Sequence, residues 1–330
     1  MAVGIAGSGP AAAAVEVALA DVDVTTETVE RPAGDHDLTV VVGQAGDTAF
    51  EEANEAALDA GSPWIAVELG GVGGFPVVDA AVAGFGPETG CYECLSGHVS
   101  ANLDPGAEPT AAPPAHTARF AGAIAGREAA RHVTDGASVF GRVIEVPHAD
   151  REFLPLPNCA CAGERDRKLD RTDTSRDLEA ALARAERAVD DRLGIVAEVG
   201  EAESFPLPYY LAHGCDTTGF SDTSAARDAA GVAAGWDAAY MKALGEALER
   251  YCAGVYTMAE FERGTPAEVD GAVAPSAFVT AAEPDPGTEI PWVPGERLGT
   301  GEPARLPAEL VPDRWLRTYT IRLECHWDPV

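Results

Sequence analysis

The first 150 or so residues alternate short β-branched runs with alanine-rich stretches of helical length, and this alternation constrains the fold more than any other feature of the chain. Strands are expected at Val3–Ala6, Val22–Thr28, Leu38–Val42, Trp64–Leu69, Phe75–Ala83 and Arg142–Val146. Helices are expected at Pro10–Ala20, Thr48–Ala60 and Thr117–His132. Such a pattern predicts an α/β fold with a doubly wound parallel sheet. From Ala162 to about Asp177 the chain becomes Gly, Glu, Asp, Arg, Lys and Thr with almost nothing to bury, which reads as a linker. The predicted organisation is therefore a first domain over 1–161, a linker over 162–176 and a second, α+β domain over 177–330. In the second domain Leu178–Leu193 has helical spacing, Ile195–Val199 and Tyr209–Ala212 read as extended, and Asp237 to about Ala253 reads as one amphipathic helix. The Pro-, Gly- and Glu-rich stretch from Gly264 to Glu309 reads as an exposed excursion.

Charge narrows the function classes. With 54 Asp and Glu against 23 Lys and Arg the net charge is −31, a field that repels phosphate backbones and anionic headgroups. Nucleic-acid and membrane-surface binding are not expected on that ground. The hydrophobic share of 46% is that of a folded protein, so the charge belongs to its surface. Lys168 and Lys242 are the only lysines. An acidic, lysine-poor exterior resembles that of halophilic cytoplasmic proteins, which stays hydrated where concentrated salt screens ion pairs within about 3 Å. Neither a signal peptide nor an apolar run long enough to span a bilayer is found, and a cytoplasmic location is expected.

Four of the seven cysteines form two close pairs. Cys91-Tyr-Glu-Cys94 has the spacing at which two thiolates share one tetrahedral Zn²⁺, and Cys159-Ala-Cys161 supplies a second pair. Together they are a candidate four-cysteine structural zinc site. A redox motif or two small core residues are the competing accounts. Zinc is preferred because both pairs lie beside Pro and Gly turns and neither is expected to open a helix. Cys215, Cys252 and Cys325 read as buried small hydrophobes.

Gly7, Gly9 and Ala12 in GSGPAAAA follow the first strand and open the first helix, which matches a dinucleotide-binding fingerprint in its proper context, with Glu27 or Glu30 near the ribose-binding distance. A plain tight turn accounts for the same residues. In KALGEALERYCAG, at 100° per residue, Lys242, Glu246, Glu249 and Arg250 fall within one sector of roughly 100°. Paired carboxylates can hold Mg²⁺ and a guanidinium can grip phosphate, so these four residues are candidate ligands of ATP and Mg²⁺. The alternative is a solvated face with Lys242 and Glu246 as an i, i+4 pair.

GVAAGWDAAYMKALGEALERYCAG resembles the opening nucleotide-binding helix of the YcaO family, whose pattern S-x-x-x-E-x-x-E-R falls on Glu246, Glu249 and Arg250, with Lys242 where the pattern has Ser. DLEAALARAERAVDDRLGIV at 177–196 resembles the start of the same domain. The first domain resembles the ThiF-like, Rossmann-like fold of ubiquitin-activating-type proteins, through GSGPAA, CYECL with the later CAC pair, and FAGAIAGREAARHVTDG. The resemblance implies a ThiF-like domain fused to a YcaO cyclodehydratase, as in azoline-forming, bacteriocin-type peptide biosynthesis. It implies ATP-dependent phosphorylation of a backbone amide oxygen once a Cys, Ser or Thr side chain of a precursor peptide has attacked the carbonyl. It also implies a flavin-dependent dehydrogenase as partner and a homodimer as assembly. A non-catalytic peptide-binding scaffold is the competing reading, because YcaO domains are much longer than the stretch available here.

Residues 311–330, VPDRWLRTYTIRLECHWDPV, contain no Ala or Gly and carry two of the five tryptophans, with three arginines balancing three acids. Against an Ala- and Gly-rich chain this break predicts a truncated or frameshifted YcaO domain, incomplete after about residue 310 and inactive alone. With nothing before the first strand, no leader-binding winged helix is expected either.

Overall fold

The computed structural model describes residues 1–310 apart from 31–35, 105–111, 137–138, 148, 163–176 and 280–284. All of the expected linker but Ala162, and the compositionally distinct tail after 310, lie outside the described residues.

The chain divides into two compact units: residues 1–164 with 178–199, and residues 165–177 with 200–330. In the first, β1 (Ala2–Ala6) leads into α1 (Pro10–Leu19), followed by β2 (Thr25–Val29), β3 (Leu38–Gln44), α2 (Ala49–Ala60), β4 (Trp64–Leu69) and β5 (Ala80–Phe85). Next come α3 (Tyr92–Ala101), α4 (Ala115–Asp135), β6 (Arg142–Val146), β7 (Ala149–Glu152) and α5 (Leu178–Ala185). The sheet is ordered β2-β1-β3-β4-β5-β6-β7. β2-β1, β1-β3 and β3-β4 pair in parallel, and β4-β5, β5-β6 and β6-β7 pair antiparallel. The α/β class is as expected; the uniformly parallel sheet is not. β4 and β5 are joined by a glycine-rich loop with no crossover helix, and a parallel return needs such a helix.

The central strands are buried along nearly their whole length, as in LTVVVGQ and WIAVEL, because helices cover both faces of a parallel sheet. Val3, Ile5, Val40, Ile65 and Val82 join Ala11, Val15, Ala121 and Ala125 in one core. α1 and α4 pack closely through small residues. A Cβ at Gly122 would stand 2.1 Å from the carbonyl oxygen of Ala11, so only glycine allows that approach.

Leu178–Val199 belongs to the first unit, although its composition suggested a second domain beginning at 177. Arg151 on β7 is the reason. Its Nη1 lies 2.7 Å from Asp190 and 2.5 Å from Asp191, and its Nε lies 3.2 Å from the buried Glu145. Arg192 Nε reaches the other oxygen of Glu145 at 2.7 Å. A polar stretch marks where a chain leaves its core, not where it returns.

In the second unit β9 (Tyr209–Gly214) pairs antiparallel with β10 (Asp228–Val232), and β8 (Val196–Glu203), which belongs to this unit from Gly200 on, completes a sheet ordered β10-β9-β8. α6 (Trp236–Gly254) packs on this sheet through Ala239, Ala243, Leu244, Ala247 and Tyr251, the apolar stripe its periodicity predicts. Its last turn is held by Ser221 and Thr223, whose hydroxyls donate to Gly254 O at 3.1 and 2.8 Å. Beyond it β11 (Glu262–Gly264), β12 (Ile290–Glu296) and β13 (Pro303–Pro307) form an antiparallel sheet around the fully buried Trp292, whose indole N–H donates to Gly264 O at 2.9 Å. The stretch expected as an exposed excursion thus carries a small core of its own.

Candidate metal centre and candidate nucleotide face

Cys91 is the N-cap of α3 and Cys94 lies in its first turn, so the first cysteine pair does open a helix, contrary to expectation. Cys159 immediately precedes a single turn at Ala160–Ala162, and Cys161 is the middle residue of that turn. The four sulfurs all lie within 4.8 Å of one another, with Cys91 to Cys159 and Cys94 to Cys161 each at 3.4 Å. Sequence separation of 65 or more residues is closed by two clamps. His98, on the same helix as Cys94 and completely buried, places Nε2 2.8 Å from Leu154 O, and Leu156 donates its backbone N–H to Cys94 Sγ at 3.1 Å. Burial pushes the imidazole pKa of His98 down to about 4, which keeps it neutral.

Hydrogen bonding with Cys159, then with Cys161 and Cys94, holds the Cys91 thiol well below the ordinary thiol range. A thiolate is the form that binds metal, and four sulfurs at this spacing have the chemistry of a closed tetrahedral centre. Cys91 and Cys94 are buried and Cys159 and Cys161 half-buried; Cys91 and Cys161 border an open cleft of about 610 Å³ that also touches Trp64, Phe85 and Asn54. Among the other cysteines Cys215 is a buried free thiol as expected, Cys252 is disulfide-bonded, and Cys325 lies outside the described residues.

Glu68 on β4 is a feature that the motif search missed. It is 2% exposed, its Oε2 accepts the Gly74 N–H at 3.0 Å, and its Oε1 has no hydrogen-bond partner. Burial raises its pKa to about 7, against the opposing hydrogen bonds from Gly74 and Tyr92. A lone Glu inside an apolar strand was the signal available.

The GSGP turn lies between β1 and α1, with Gly9 as N-cap and Pro10 in the first turn. Glu27 sits on the edge strand β2, where its carboxylate faces His36 Nε2 at 3.4 Å.

In the second unit, three of the four candidate nucleotide residues converge on one strand. Lys242 Nζ donates to Val232 O at 3.0 Å, Glu246 Oε2 accepts the Ala230 N–H at 3.2 Å, and Arg250 donates to Asp228 O. Arg250 also pairs with Glu246 at 2.5 Å. These groups point away from β9, along the edge of β10 that carries no strand among the described residues. The approach requires Gly231, where a Cβ would stand 2.1 Å from Ala239 O and 2.4 Å from Ala243 N. Glu249 is exposed and has no partner among the described residues.

The mixed α/β architecture is that of known heterocyclases. One, solved in complex with substrate and cofactor, matches 96% of this chain at 18% identity with a TM-score of 0.65, over 51% of its own length. The heterocyclase TruD matches 97% of this chain at 17% identity with a TM-score of 0.55, over 49% of its own. The chain therefore spans about half the length of the heterocyclases it matches. Residues 230–315, which begin within β10 and contain α6, match the model of the YcaO cyclodehydratase family, described as ATP- and Mg²⁺-binding. MccB of E. coli aligns with 53% of this chain and 67% of its own length at 16% identity, with a TM-score of 0.37. No curated protein sequence matches the chain. No described helix is long and apolar enough to cross a membrane.

Proposed function

We propose that this chain takes part in ATP-dependent cyclodehydration of Cys, Ser or Thr residues in a ribosomally made precursor peptide. The family match over residues 230–315 carries the reading, because it falls on the helix that bears Glu246, Glu249 and Arg250. ATP supplies the phosphoryl group that converts a peptide amide oxygen into a leaving group, and an azoline ring closes as phosphate departs. Glu246 and Glu249 would hold Mg²⁺ through hard carboxylate oxygens, while Arg250 and Lys242 would neutralise charge on the transferring phosphoryl. The first unit would act as a ThiF-like scaffold for the peptide, with Zn²⁺ held by Cys91, Cys94, Cys159 and Cys161 in a structural role. The donor set and its spacing fit that metal. A cytoplasmic location, a homodimer and a flavin-dependent dehydrogenase that oxidises the product complete the proposal.

One observation favours a second reading, a non-catalytic peptide-binding scaffold: Lys242, Glu246 and Arg250 are all engaged on the β10 backbone. Incubating the purified full chain with Mg²⁺, ATP and a cysteine-containing precursor peptide separates the two. Phosphate release matched by loss of one water per ring supports the enzyme. Peptide binding without turnover supports the scaffold.

A further inference from the structure

An edge strand presents unpaired N–H and C=O groups that natural proteins cover in some way. Here the cover is a ladder of side chains. Lys242, Glu246 and Arg250 recur every four residues along one face of α6, and their targets, Val232 O, Ala230 N–H and Asp228 O, recur every two residues along β10. Four residues of helix rise about 6 Å and two residues of strand about 6.6 Å, so the two repeats stay in step over three rungs. The register is antiparallel, with the start of α6 against the end of β10. The Glu246 to Arg250 pair ties two rungs together, and the side chains are only 33% and 20% exposed.

We infer that this ladder is a latch that closes the nucleotide face: Glu246 and Arg250 direct toward β10 and toward each other the oxygens and N–H groups that Mg²⁺·ATP would engage, and nucleotide binding lifts them from the strand. The inference rests on the proposed nucleotide reading and adds its regulation. Glu246 Oε2, the oxygen that accepts from Ala230, would be required by the cation, and the guanidinium that binds Asp228 O and Glu246 would be required by phosphate. Glu249, exposed and without a partner among the described residues, remains available for the first encounter. Any extended segment that paired with β10 would satisfy the same backbone groups and release the latch, which couples strand pairing to nucleotide affinity.

Residue-resolved amide exchange on the full chain, with and without Mg²⁺·ATP, tests this alongside calorimetric titration of wild type and Ala230→Pro. The proline removes the N–H that Glu246 accepts and leaves the β10 to β9 pairing intact, since that N–H faces the open edge. Expected is faster exchange of the Ala230 amide by about ten-fold on Mg²⁺·ATP binding, with Ala229 and Gly231 still protected, and tighter Mg²⁺·ATP binding by the variant, by roughly the inverse of the latch-open fraction. Binding with unchanged Ala230 exchange overturns the latch and leaves the nucleotide reading standing. No binding by either protein removes the nucleotide reading and the latch with it. Should Ala230→Pro fail to fold, the exchange measurement on wild type decides.

Discussion

The backbone N–H of Leu156 donates to Sγ of Cys94 across 3.1 Å, joining the helix that carries one cysteine pair to the segment that carries the other. The contact fixes the direction of the Cys94 sulfur, so the fold itself brings the two cysteine pairs into register.

Metal analysis of the purified protein is expected to show about one zinc per chain, and Cys94→Ser to lower both zinc content and melting temperature. Losing one ligand of a buried centre costs several kcal/mol, which corresponds to roughly 10 °C for a unit of this size. A metal-free wild type of unchanged stability would remove the zinc assignment.

Glu68 should make stability fall as pH rises. Its folded pKa of about 7 lies above the ordinary 4.5, so the folded state binds the proton more tightly. The contribution is complete below about pH 4.5 and is lost progressively up to about pH 7, on the order of 3 kcal/mol. Glu68→Gln keeps the shape without the charge. The variant is expected to gain stability over wild type at pH 8 and to match it near pH 4.5, read from denaturant unfolding at both values.

Gly231→Ala should loosen α6 from β10, because the added methyl meets Ala239 O and Ala243 N well inside van der Waals contact. A loss of about 1–3 kcal/mol is expected. Faster exchange of the Ala230 amide should accompany it, and an unaltered exchange pattern would show that the helix is held some other way.

Glu249→Ala and Glu246→Ala should part company. Glu249 is exposed and has no hydrogen-bond or ion-pair partner among the described residues, so its removal should change stability by less than about 0.5 kcal/mol while weakening Mg²⁺·ATP binding. Glu246→Ala also leaves the Ala230 N–H without its acceptor and should cost about 1 kcal/mol of stability. Equal stability losses in the two variants would contradict the geometry.

Arg151→Met removes the cation that Glu145, Asp190 and Asp191 share. With Arg192 reaching only Glu145 among the three, the loss should cost about 3 kcal/mol, and limited proteolysis should then cut between 178 and 193 first. A wild-type cleavage pattern would show that apolar packing alone secures the segment.

Local periodicity determined a good deal by itself. The parallel half of the first sheet, the apolar stripe of α6 and the two cysteine pairs are all written within windows of a few to twenty residues, where spacing alone dictates which side chains share a face. Partnership across long sequence distances was decided by the tertiary structure. β10, DAAGV, has one β-branched residue and no strand signal, and it exists because β9 pairs with it and α6 covers it. The charged face of α6 was legible as a face, but nothing within the helix says that Lys242, Glu246 and Arg250 meet a strand edge while Glu249 meets none. The same holds for residues 178–199, whose polar surroundings suggested a new domain until Arg151 placed them on the first sheet. A sequence window encodes the direction in which a side chain points, and only the folded chain determines what stands there to receive it.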